Sequence, residues 1–123
     1  MKEKKQPLTK SFGYAFEGLF AVIRKERNMQ IHCTVTVLVL IFGLLLGLSK
    51  MEWLICFLLF GLIMGLECVN TAVEAVVDLV TEEIHPKAKL AKDAAAGAVL
   101  IAAIFAAVIG LIIFVPKLLA LMM

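Results

Sequence analysis

The stretch Glu67-Cys-Val-Asn70-Thr71-Ala-Val-Glu74-Ala-Val-Val-Asp78 places three carboxylates, an amide and a hydroxyl inside an otherwise apolar run. Successive residues of an α-helix turn by about 100°. With Glu67 set at zero, Asn70 falls at about −60°, Glu74 at about −20°, Asp78 at about +20° and Thr71 at about +40°. All five therefore share one face, and Val69, Ala72, Val73, Val76 and Val77 keep the other apolar. Such a face can take a proton from a hydroxyl, hold a divalent cation, or hydrogen-bond to a neighbouring helix. Hard oxygen ligands, together with phosphate, suit Mg²⁺.

Depth separates these roles. No charged residue lies between Trp53 and Leu66. An indole at Trp53 marks a membrane interface, and Glu67 then lies about 21 Å inward at ~1.5 Å per residue. The hydrocarbon core is about 30 Å thick, so Glu67 is expected inside the far leaflet. Glu74 is expected near its boundary and Asp78 at or beyond it. A carboxylate at the depth of Glu67 costs on the order of 2 to 3 kcal/mol, and so needs a partner or a task. Low dielectric disfavours the charged form of a carboxyl group, which makes the carboxylate a better proton acceptor. It would serve as general base toward a hydroxyl that lives in the membrane. Glu74 and Asp78, nearer water, are better placed to hold a cation. Two other readings stay open: interhelical hydrogen bonding, and conduction of protons or ions along the ladder. The outer leaflet holds no matching polar residues, which argues against a through-path.

Three further charged groups are candidates. Glu26 sits among Arg24, Lys25, Arg27 and Asn28 and reaches the same interface, or belongs to a solvated charge run. Lys92 and Asp93 open the third apolar segment. A helix N-terminus attracts anions there, and Lys92 can pair with phosphate. The plainer alternatives are a snorkelling lysine and an N-cap aspartate. The phosphate-binding and catalytic loops of soluble kinases are missing from the sequence.

The elements that must position these residues follow from composition. The chain has 123 residues, 63% hydrophobic and 18% charged. A soluble domain of this length cannot hide that much apolar surface, so the bilayer is the expected solvent. The expected architecture is an all-α membrane protein of one domain, residues 1–123. An N-terminal amphipathic surface helix spans 10–27, and membrane helices span 31–48, 53–80 and 94–115. Residues 1–9 are expected to be poorly ordered, 49–52 to form a tight external turn, and 81–93 a loop. On the first helix, Phe12, Phe16, Leu19 and Ile23 form one stripe opposite Lys10, Glu17, Arg24 and Lys25. That pattern suits a helix lying in the interface, or one packed on its own spanning helices. The third span is rich in alanine, and small side chains let helices approach closely in lipid.

Of the 12 lysines and arginines, only Lys50 and Lys117 lie outside the N-terminal segment and the 81–93 loop. The positive-inside rule therefore predicts a cytoplasmic N-terminus and an external C-terminus. The basic start does not read as a secretory signal peptide. Cys33, Cys56 and Cys68 lie in apolar segments without metal-ligand spacing and read as small hydrophobes. No nucleic-acid partner is expected.

The run E-x-x-N-x-x-x-E-A-V-V-D at Glu67 to Asp78, with H-P-x-A-K-x-A-K-D at His85 to Asp93, closely resembles the prokaryotic diacylglycerol kinase family. The resemblance extends from Gly13 and Tyr14 through the third span. It implies a three-span homotrimer of the bacterial plasma membrane, with sites between subunits. It implies transfer of the ATP γ-phosphate to a lipid hydroxyl at the cytoplasmic interface. By motif match Glu67 would be the general base and Asn70 would help position the reacting groups. Glu26 and Glu74 would bind Mg²⁺ with ATP, and Tyr14, Glu83, His85, Lys92 and Asp93 would line the nucleotide. The segment Glu26-Arg27-Asn28-Met29-Gln30-Ile31-His32 is similar to the Gram-positive branch of undecaprenol kinases. The diacylglycerol-specific branch has an acidic residue where His32 stands, an arginine where Pro7 stands and a serine where Ala96 stands. The resemblance thus implies undecaprenol as substrate, with diacylglycerol as the alternative. A non-enzymatic channel or assembly module is the reading from another class, and Mg-ATP binding separates it from an enzyme.

Overall fold

The structure, a computed structural model, describes residues 7–123. Lys2, Lys4 and Lys5 lie outside the described residues, as does the expected disorder of residues 1–6. Four helices follow one another: α1 (Leu8–Lys25), α2 (Arg27–Leu46), α3 (Lys50–Val80) and α4 (Pro86–Met122). The last three are each long and apolar enough to cross a membrane.

Local chemistry sets the boundaries. Only Glu26, with extended backbone (φ −95°, ψ 121°), separates α1 from α2. The Gln30 side-chain amide donates to the carbonyls of Ile23 (3.1 Å) and Arg24 (3.0 Å). It thereby satisfies acceptors that the end of α1 leaves open. Arg27 to Gln30 are therefore helical, where the sequence suggested a gap before residue 31. Leu8 and Thr9, expected to be disordered, begin α1.

α2 stops at Gly47, whose φ of 72° is a left-handed conformation that favours glycine. α3 starts on a capping box. The Glu52 amide donates to Ser49 Oγ (3.2 Å) while the Ser49 amide donates to Glu52 Oε1 (2.8 Å). This brings Lys50 to Glu52 into the helix, so the expected external turn shortens to residues 47–49.

Two prolines correct the sequence reading of the last helix. Pro86 was expected inside a loop, but it is the first residue of α4. A proline at that position loses no hydrogen bond and its φ already suits a helix. His85 caps it, its Nδ1 accepting from the Lys87 amide at 3.1 Å. The connection therefore covers 81–85, and Asp93 is two turns inside α4 rather than its N-cap. Pro116 was expected to end the span, yet α4 continues through it to Met122. Spanning helices tolerate proline when neighbouring groups compensate for the lost backbone bond.

α3 is the central element. It packs most extensively along α4, less so on α2, and α1 touches both α2 and α3. Near the Trp53 end, Leu48, Cys56 and Ile113 form a small buried cluster. Gly43 of α2 lies flat against the Trp53 indole. Lys117 of α4 reaches Glu52 of α3 at 3.0 Å. Most large apolar side chains, such as Leu44, Leu58, Phe105 and Ile112, face outward. That arrangement is stable in hydrocarbon.

Candidate active site

The polar face of α3 turns inward. Glu67 is 1% exposed and Asn70 is 8% exposed, the two buried polar residues among those described. The α-helical period stacks Glu67, Asn70, Thr71 and Glu74 on one side of α3, which His32 of α2 approaches. Asn70 Nδ2 donates to Glu74 Oε1 at 3.3 Å, one turn along the helix. Glu67 Oε1, Asn70 Oδ1 and Thr71 Oγ1 are buried and have no hydrogen-bond partner. A buried polar atom without a partner costs on the order of 1 to 3 kcal/mol. Three on one face, around a carboxylate, mark a place where a ligand would supply the missing bonds.

The nearest charged groups come from three helices or their junctions. His32 of α2 brings Nε2 to 3.4 Å from Glu67 Oε1. This is ion-pair range, but the approach misses hydrogen-bond geometry, so Oε1 remains unsatisfied. The charges of Glu26 and Glu74 also reach Glu67. Glu26 occupies the extended residue between α1 and α2, which lets its side chain leave the helical path. Among the described residues no set of three or more His, Cys, Asp or Glu is grouped to hold a metal ion. Glu26 and Glu74 still offer two hard oxygen donors whose charges reach the face that carries the unpartnered atoms. That fits Mg²⁺, which keeps several waters and takes one or two carboxylates with substrate phosphates.

A second polar region lies one to three turns further along α3. A pocket of about 270 Å³ is bounded by Asp78, Thr81, Glu82, Glu83, His85, Lys89, Lys92 and Asp93. Lys92 Nζ donates to Asp78 Oδ1 at 2.6 Å, joining α4 to α3 across it. Lys89 pairs with Asp93 along α4 at 2.5 Å. Four sequence candidates, Glu83, His85, Lys92 and Asp93, thus meet around one opening. Tyr14 is different: it is exposed on α1 and lines neither polar region.

The His32–Glu67 approach and the Asp78–Lys92 bridge escaped the sequence. Each joins two helices, and helix periodicity within one segment carries no signal for it. The completely buried Met29, at 0% exposure, was likewise not singled out.

Comparison with known proteins bears on this arrangement. The family model described as prokaryotic diacylglycerol kinase matches residues 13–114. The chain is 52% identical over 109 residues to an undecaprenol kinase of Bacillus subtilis, covering 89% of each protein. It is 44% identical over 113 residues to a diacylglycerol kinase of Synechocystis, covering 91% of this chain and 65% of that one. A diacylglycerol kinase of Escherichia coli K12 is 31% identical over 101 residues, covering 82% and 83%.

Proposed function

The chain belongs to the prokaryotic diacylglycerol kinase family, and from that premise we propose that it transfers the γ-phosphoryl group of ATP to the hydroxyl of undecaprenol at the cytoplasmic face of the bacterial plasma membrane. Lipid kinase activity comes with the family. The choice of undecaprenol is supported by the 52% identity to the Bacillus subtilis enzyme. The observation that carries the reading is Glu67: a buried carboxylate with a hydrogen-bond vacancy, at membrane depth, next to two further carboxylates.

In the proposed reaction Glu67 accepts the proton of the lipid hydroxyl. The hydroxyl oxygen forms a bond to the γ-phosphorus as the bond to the bridging oxygen breaks, and ADP leaves with that electron pair. General-base assistance of this kind contributes typically about 10² to 10⁴-fold. Asn70 holds Glu74 from one turn away and so fixes its orientation. Glu26 and Glu74 would hold Mg²⁺ with the phosphates, and the bound ion would neutralise their charge. Lys92 would reach the phosphates from its bridge to Asp78, with Glu83, His85 and Asp93 along the nucleotide. Tyr14 would join them once chains assemble.

The same reading includes a homotrimer with α1 lying in the cytoplasmic interface. The apolar stripe of Phe12, Phe16 and Phe20, exposed on the single chain, supports both. A cytoplasmic N-terminus and an external C-terminus follow from the lysine and arginine distribution.

Diacylglycerol is the competing substrate, favoured by the names of the Synechocystis and Escherichia coli relatives. One preparation assayed with both lipids decides it, because kcat/KM ratios measure discrimination. We expect the higher kcat/KM with undecaprenol; a higher value with diacylglycerol would reverse the assignment.

A further inference from the structure

His32 has no part in the reaction as described, yet among the described residues it is the one basic side chain within ion-pair distance of Glu67. The two meet from different helices, Nε2 of α2 against Oε1 of α3 at 3.4 Å. The Glu67 side chain is 2% exposed and that of His32 is 20% exposed, so the histidine stands between the sealed carboxylate and open space. What it opens onto is an apolar cavity of about 330 Å³ between α2, α3 and α4, walled by residues such as Val39, Phe60, Ala107 and Phe114. The Thr36 hydroxyl, also in that wall, donates to the His32 backbone carbonyl at 2.8 Å. The imidazole thus lies at the junction of cavity and carboxylate.

Charge makes this placement consequential. Glu26 and Glu74 act on Glu67 with the same sign as its own ionised form. Like charges repel an ionised carboxylate, and a donor within reach helps to hold it in place. We propose that His32 is a positioning residue for the base: its Nε2 faces the carboxylate, fixes the carboxylate plane, and so orients Glu67 toward the lipid hydroxyl. The inference rests on Glu67 being the base. A small approach of the two helices, or a slight rotation of the ring, completes the hydrogen bond when substrate enters. A base misplaced by about 1 Å can lose about 10²-fold in rate.

Steady-state kinetics at saturating lipid, with ATP varied, tests it in three variants. His32→Leu keeps the volume and removes the donor. It should lower kcat by about ten- to a hundredfold with KM for ATP unchanged. His32→Gln keeps a donor near the position of Nε2 and should recover most of that loss. Glu67→Gln should slow turnover at least a hundredfold, and His32→Leu combined with it should lose nothing more. Normal turnover in His32→Leu, or equal losses in the Leu and Gln variants, would overturn the proposal while a slowed Glu67→Gln left the base intact. Normal turnover in Glu67→Gln would instead remove the base assignment itself. Thermal unfolding in detergent, unchanged in the Gln variant, keeps folding separate from chemistry.

Discussion

At the scale of single residues, the site is defined by what its polar atoms lack. Glu67 Oε1, Asn70 Oδ1 and Thr71 Oγ1 are buried without partners, while Asn70 Nδ2 is committed to Glu74. That asymmetry assigns different consequences to neighbouring changes. Glu74→Gln keeps the shape and removes a charge, so the Mg²⁺ concentration for half-maximal rate should rise several-fold. An unchanged Mg²⁺ titration would take Glu74 out of the metal site. Asn70→Leu deletes the donor that holds Glu74. It should shift the Mg²⁺ titration in the same direction and lower kcat as well, because Asn70 Oδ1 also faces the site. A kcat loss without any Mg²⁺ shift would show that Asn70 does not orient Glu74.

At the scale of elements, the start of α3 is held by identifiable contacts. At Gly43 an added Cβ would stand 2.6 Å from the Trp53 ring. Gly43→Ala must therefore move the indole or part α2 from α3, and overpacking of this kind costs about 1 to 3 kcal/mol. A lowered midpoint of thermal unfolding in detergent checks it; an unchanged midpoint would mean that the indole moves freely. Ser49→Ala removes the side-chain half of the capping box and should cost about 0.5 to 2 kcal/mol.

The helices and the one-faced ladder of Glu67, Asn70 and Glu74 were legible in the sequence because both are periodic within a single segment. Contacts between segments were not, since they depend on how helices rotate against one another. The approach of His32 to Glu67 needs the register of α2 on α3, and the bridge from Lys92 to Asp78 needs that of α4. The misread start of α4 has a different origin. Pro86 was placed within the 81–93 loop, but proline is well suited to the first position of a helix. With the start moved to Pro86, Lys89, Lys92 and Asp93 lie within about one turn of each other on α4 rather than in a loop, and Lys92 bridges to α3.

At the scale of the whole molecule, a single chain leaves much apolar surface exposed and brings Tyr14 to neither polar region. The homotrimer proposed above, with sites between subunits, would account for the second fact, and a bilayer for most of the first. Mixing Glu67→Gln chains with chains impaired by Tyr14→Leu tests the arrangement, because Tyr14 is the site residue a neighbouring chain would supply. Shared sites should regain partial activity in mixed assemblies, and sites confined to one chain should not.

The central claim is chemical: a carboxyl group below the membrane surface removes the proton from a lipid alcohol as ATP is cleaved. The most direct measurement is single-turnover transfer of labelled γ-phosphate to undecaprenol in bilayers, comparing the unaltered protein with Glu67→Gln. The account predicts labelled lipid phosphate from the first and at least a hundredfold slower formation from the second, with Mg-ATP binding equal in both. Transfer at a similar rate in the two would contradict it.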